Sequence, residues 1–223
     1  MKDMNYTNLF IELENLCNNE RRKSKEKYMR NLFPFIGLTR LETAGIIKPY
    51  FKQNKNEKTL DWNFIKKCWE KPYREAQYVA IYYLMKFYKK LQKTDLIKVK
   101  KLIITKSWWD TVDLLATNIV GNIVLLDRTN FEKVMLEWSL DNNIWIRRTA
   151  ILHQLKYKQN TNIKLLETIL MNNFGTKEFF INKAIGWALR EYSKTNPQFV
   201  KNFIKTHSHQ MSNLSIRESS QYI

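Results

Sequence analysis

A repeat of about 35 residues restricts the fold of this chain more than any other feature. Ala80, Leu115, Ala150 and Ala184 are separated by 35, 35 and 34 positions. Three of them sit in similar helical runs: Val79-Ala-Ile-Tyr-Tyr-Leu, Thr149-Ala-Ile-Leu-His-Gln-Leu and Lys183-Ala-Ile-Gly-Trp-Ala-Leu. Another helical pattern precedes each, so the unit is a helical hairpin. One hairpin cannot bury its own apolar face, whereas stacked hairpins bury it continuously, which is the logic of an α-solenoid. The chain has only 5 Gly and 4 Pro, too few for the many tight turns of an all-β fold. The expectation is an all-α solenoid, one domain over residues 1–223, with one set of helices lining a concave face.

The chain in order gives the helices. Tyr6–Leu16 and Lys25–Phe33 read as a short pair, broken by Pro34 and Gly37. Arg40–Phe51 follows, ending near Pro49, and Asp61 caps a segment through Trp69. A long helix is expected from Tyr73 to about Leu91, then Asp95–Thr105. Ser107 followed by Asp110 has the spacing of a capping box at the head of a helix running to Ile119, before Gly121. Helices then fall at Phe131–Trp138, Ile144–Tyr157, Thr161–Met171, Lys177–Lys194 and Gln198–His207. Ser215-Ile-Arg-Glu218 reads as one more capping box. No apolar run approaches the roughly 20 residues of a membrane span, and the polar start is unlike a signal peptide. Cys17 and Cys68 lie far apart and read as small core residues in a reducing cytoplasm.

Charge narrows the function. Lys+Arg 38 against Asp+Glu 21 leaves +17, an excess that attracts polyanions, nucleic acid foremost. His153, His207 and His209 are scattered, so no metal site is expected. The chain has no Gly-rich phosphate loop, GxSxG or HExxH motif.

One constellation remains. In Thr105-Lys-Ser-Trp-Trp-Asp-Thr-Val-Asp113, the stripe Trp108, Val112, Leu115 faces a core, while Trp109 and Asp113, four apart, share another face. Counting 35 from Asp113 gives Arg148, and 35 more gives Lys183. On that last helix Lys183, Trp187, Arg190 and Lys194 form one stripe, with Phe180, Ala184, Ala188 and Tyr192 as the core stripe. Two Trp, one carboxylate and several cations thus share one lining. Trp62, Trp69, Trp138 and Trp145 fit core faces.

These residues carry a family resemblance. Lys106-Ser-Trp-Trp-Asp-Thr-Val-Asp113, Asn143-Ile-Trp-Ile-Arg-Arg-Thr-Ala150 with Gln154-Leu-Lys-Tyr157, and the run Lys177–Tyr192 resemble the AlkD family of bacterial DNA alkylation-repair glycosylases. Tyr28-Met-Arg-Asn-Leu-Phe-Pro-Phe-Ile-Gly37 and Arg74-Glu-Ala-Gln77 are similar too, so the likeness spans nearly the whole chain. It implies HEAT-like repeats clasping duplex DNA and releasing cationic purines, chiefly 3-methyladenine and 7-methylguanine, with the lesion left stacked. It further implies Asp113, Trp109 and Trp187 as the catalytic set, Arg148 gripping the backbone, and Tyr28 close to the lesion. Lys183, Arg190 and Lys194 join Arg148 and Tyr28 as candidate DNA-binding residues. Thr39-Arg-Leu-Glu-Thr-Ala44 departs from the family's Thr-Pro-Glu-Arg-Arg-like run, so backbone contacts from that helix are not carried over.

The chemistry is consistent. A purine alkylated at N3 or N7 leaves as a neutral base, so no general acid is required. Positive charge builds on the deoxyribose, where aromatic faces and a carboxylate stabilise it. With no Schiff-base Lys beside the trio, a monofunctional enzyme without lyase activity or cofactor is expected. The expected partner is double-stranded DNA containing alkylated bases, bound by a cytoplasmic monomer, with no membrane. A silent DNA-structure-binding protein and a protein-interaction scaffold are the rival readings. Asp113 argues against the first and the +17 charge against the second.

Overall fold

The computed structural model describes residues 6–223, and no strand occurs among them. The all-α expectation holds. Contacts divide the chain into two compact units, Met1–Leu91 and Gln92–Ile223.

In the first unit, α1 (Tyr6–Asn15) and α2 (Asn19–Tyr28) are followed by α3 (Arg40–Gln53), α4 (Trp62–Glu70) and α5 (Arg74–Lys86). α3 packs on α1 and on α5, and α4 on α5. Phe51, Phe64, Tyr83 and Phe87 form its aromatic centre, with ring centroids 4.9 to 6.4 Å apart. Asp61 caps α4 as expected, accepting from the Phe64 N–H at 2.8 Å. α2 begins six residues before the expected Lys25, because Asn18 caps it and it buries no residue. Hydrophobic periodicity has nothing to register there. Pro49 lies inside α3, where the buried Tyr50 and Phe51 anchor the last turn against the missing backbone hydrogen bond. Thr39 and Glu42 form a full capping box at its head. Cys17 is exposed, contrary to its expected core place, whereas Cys68 is buried.

Two stretches of the family resemblance meet in this unit. The buried Glu75 carboxylate accepts from the N–H groups of Ile36 (2.9 Å), Gly37 (2.9 Å) and Leu38 (3.2 Å). Gly37 has φ +97°, and a Cβ there would lie 2.3 Å from the Asn18 carbonyl oxygen, so only glycine fits this turn.

The second unit holds α6 (Asp95–Ile104), α7 (Trp109–Leu115), α8 (Gly121–Leu126) and α9 (Arg128–Trp138). It continues through α10 (Ile144–Leu152), α11 (Ile163–Met171), α12 (Phe179–Ser193), α13 (Pro197–His207) and α14 (Asn213–Ser219). α6 packs on α7 and α9 on α10, as the first and second helices of two hairpins. The first helices α9 and α11 adjoin, and the second helices form a row in which α7 meets α10, α10 meets α12, and α12 meets α14. Equivalent positions of successive second helices therefore become neighbours, as the repeat requires.

Three expectations are corrected here. The helix from Trp109 does not stop at Gly121: it passes through a π-helical turn, Ala116–Val120, and runs on as α8. Gly121 is a packing glycine, since a Cβ there would lie 2.5 Å from the His153 carbonyl oxygen. The resulting Trp109–Leu126 run is apolar and long enough by length and composition to cross a membrane, although 56% of it is buried inside the protein. Ser107 is no N-cap: its hydroxyl donates back to the Ile103 carbonyl at 2.6 Å, and Trp108 takes the cap position. At the C-terminal end the cap is Ser212 rather than Ser215. The Ser215 hydroxyl donates instead to the Asn182 carbonyl at 2.8 Å.

Candidate active site

The centre of the second unit's helix row is an acid–base pair. Arg148, on α10, donates through Nε to Asp113 Oδ1 at 2.7 Å and through Nη2 to Oδ2 at 2.8 Å. Its Nη1 donates to the Phe180 carbonyl oxygen of α12. One guanidinium thus links α7, α10 and α12 in the fork geometry that arginine alone offers. The 35-residue register places both residues on one lining, without implying that they pair. The role expected for Arg148, gripping the DNA backbone, meets a side chain only 4% exposed whose guanidinium is directed to Asp113 and Phe180.

Asp113 is 13% exposed, more than its partner. The acid is therefore the less buried partner of the pair. Burial raises its pKa above the ordinary carboxylate value, the Arg148 hydrogen bonds and charge pull it down, and the nearby Asp110 adds to the rise. The Arg148 guanidinium lies 5.9 Å from the Phe180 ring centroid, and Phe180 belongs to an aromatic cluster. Trp108 stands 5.6 Å from Trp145 and 4.9 Å from Phe180 between ring centroids, and Trp145 stands 5.0 Å from Phe180. The core stripe is as expected on α7, where Val112 and Leu115 are fully buried, and Trp108 completes it half-buried. Trp109, on α7, and Trp187, on α12, are both half-buried. α10 packs against both helices.

Two of the remaining predicted cations, Lys183 and Arg190, are held by α14. Lys183 Nζ lies 2.7 Å from Glu218 Oε1, and Arg190 Nη1 lies 2.9 Å from Glu218 Oε2. Arg190 also donates to Gln221 Oε1 at 2.7 Å. Lys194 pairs with Glu191 at 2.6 Å and lies 5.4 Å from the Tyr222 ring centroid. Tyr28 belongs to the first unit, at the end of α2, and is 72% exposed. Glu218 escaped the sequence reading because it was assigned to a capping box. The signal was present: counting 35 from Lys183 lands on Glu218.

His153 is no ligand or acid of this site. It is buried within α10's packing, Nδ1 lies 2.6 Å from the Ala150 carbonyl, and burial lowers its pKa to about 4.

The row of second helices, with its buried ion pair and half-buried indoles, is built from a sequence that has relatives among known proteins. The sequence profile of the DNA alkylation repair enzyme family matches residues 11–223, and the chain belongs to that family. A solved structure titled "Predicted DNA alkylation repair enzyme from Enterococcus faecalis" is similar over 93% of this chain and 96% of its own, with 33% identity and a TM-score of 0.84. No curated protein matches the chain.

Proposed function

We propose that this member of the DNA alkylation repair enzyme family is a monofunctional DNA glycosylase. Its reaction is hydrolysis of the N-glycosidic bond of cationic alkylated purines, 3-methyladenine and 7-methylguanine, in duplex DNA. The observation that carries the reading is the Asp113–Arg148 pair. Its bidentate geometry fixes the carboxylate, and the acid is the less buried of the two partners. Such an oriented, preorganised charge stabilises a developing cation without reorganising when the reaction occurs.

In this mechanism the lesion leaves as a neutral base while the deoxyribose becomes oxocarbenium-like. Asp113 stabilises that cation and orients the attacking water. Trp109 and Trp187 offer ring faces, together contributing roughly 1–4 kcal/mol. Arg148 acts through Asp113 as a positioning residue: it holds both carboxylate oxygens and opposes the burial that would favour the neutral acid.

The test is release of methylated purine from alkylated duplex DNA by the wild type and by Asp113→Asn. The expected result is release well above the spontaneous rate, reduced at least 10²-fold in the variant, as for loss of one preorganised stabilising group. A wild type no faster than spontaneous depurination removes the glycosylase reading and leaves DNA-structure binding in its place.

A further inference from the structure

We propose that Glu218 is a positioning and charge-balancing residue of the same site, resting on the glycosylase reading above. Lys183 and Arg190 lie four residues before and three after Trp187, so on α12 they bracket it on one face. Two cations beside an indole oppose any positive charge forming in front of it. Glu218 answers both: one carboxylate, 7% exposed, reaches Lys183 through Oε1 and Arg190 through Oε2.

The fold is built for this contact. α14 approaches α12 so closely that a Cβ on Gly186 would sit 2.4 Å from Glu218 Cβ and 3.0 Å from the Ser215 carbonyl oxygen. The Ser215 hydroxyl bonded to the Asn182 carbonyl fixes the same register. The spacing repeats as well. Positions 113, 148, 183 and 218 follow at intervals of 35 and carry acid, base, base, acid. They close as two pairs, Asp113 with Arg148 and Lys183 with Glu218. Glu218 is thus the second carboxylate of the lining. It clamps the rotation of α12 that presents Trp187 and offsets one of the two charges that would repel a cationic lesion.

The experiment uses the full chain and a duplex oligonucleotide carrying one 7-methylguanine, with single-turnover release and DNA affinity measured separately. Taking a separation of about 10 Å between the unit charge and the forming cation and an effective dielectric of about 20 to 40, Glu218→Gln is expected to slow release about 4- to 17-fold. Affinity for the duplex is expected to hold or tighten, because one negative charge is lost. Lys183→Met combined with Glu218→Gln restores the charge balance and is expected to recover most of the rate, which a merely structural role would not do. Release by Glu218→Gln within twofold of wild type overturns the proposal, as does a rate loss matched by lost affinity, or no recovery in the double variant. A variant that melts below assay temperature is replaced by Glu218→Asp, which keeps the charge but shortens the reach; a loss of about 2- to 5-fold in release at constant affinity is then expected, and none overturns the clamp. An inert wild type defeats the glycosylase reading itself, a different result from an active wild type insensitive to Glu218.

Discussion

Replacing Arg148 with Met keeps the length and apolar stem of the side chain and removes its guanidinium, which isolates the worth of the pair. The loss is three hydrogen bonds: two to Asp113 at 2.7 and 2.8 Å, and one to the Phe180 carbonyl. More costly is what remains, a nearly buried carboxylate with no counter-charge. Breaking a buried pair on one side typically costs about 3–5 kcal/mol. For a chain of this size that corresponds to a melting point lower by roughly 6–20 °C. The penalty has a definite pH dependence. Asp113 already has a raised pKa from burial, and removing Arg148 raises it further. An acid with a folded pKa above its unfolded value destabilises the fold fully above the folded pKa. That cost shrinks as pH falls through the folded pKa and vanishes below the unfolded one. The melting gap between wild type and Arg148→Met is therefore expected to narrow between pH 7.5 and pH 4.5, followed by calorimetry or circular dichroism. Adding Asp113→Asn, which removes the stranded charge, is expected to recover at least about 1 kcal/mol as a coupling energy. An Arg148→Met variant melting with the wild type, or a gap independent of pH, would refute the view that Arg148 holds Asp113 as an ion pair.

Further outcomes follow from single contacts. His153 is neutral and buried with a pKa near 4, so the unfolded chain protonates first on acidification and stability is lost as pH falls from about 6.5 to 4. That loss, up to about 3 kcal/mol, is expected to be absent in His153→Gln, seen as the pH dependence of the difference in unfolding free energy. Gly121→Ala forces a Cβ against the His153 carbonyl and is expected to destabilise by about 1–3 kcal/mol in denaturant titration. If six to ten phosphates are neutralised on binding, affinity for duplex DNA should fall about 10³- to 10⁵-fold between 50 and 200 mM salt, whereas a flat response would favour a protein partner.

Much of the second unit was legible because its information is periodic. The 35-residue count puts Asp113 and Arg148 on one lining, though not as an ion pair, since stacked repeats bring equal sequence intervals together. What stayed hidden was set by local choices with equivalent-looking alternatives. Ser107 and Ser215 each stand three residues before an acid, as a capping box requires, yet both hydroxyls donate to carbonyls. Gly121 looked like a helix terminator, although its role depends on a carbonyl 32 positions further on. α2 was misplaced because it buries nothing, leaving only its cap to mark it. Glu75, which gathers the N–H groups of Ile36, Gly37 and Leu38, belongs to a stretch the family resemblance flagged without giving its partner.

The distribution of acids answers a difficulty in the proposed function. A chain with net charge +17 is suited to a polyanion and ill-suited to a cationic substrate, since the charge that gathers DNA also repels the lesion. Fields of exposed charges are screened within about 10 Å at ordinary ionic strength, whereas buried charges keep their local effect. A protein can therefore separate the two tasks by depth, with excess Lys and Arg outside and carboxylates set into the lining. Asp113 and Glu218 fit that division: both are largely buried, each engages Arg or Lys from a neighbouring second helix, and both fall on one repeat register. Neutralising exposed lysines should weaken duplex binding while leaving single-turnover release of 7-methylguanine from saturated complex nearly constant; neutralising either buried acid should do the reverse. A set of surface Lys→Gln variants that loses release rate in proportion to affinity would show that one field serves both tasks, and the separation by depth would then be wrong.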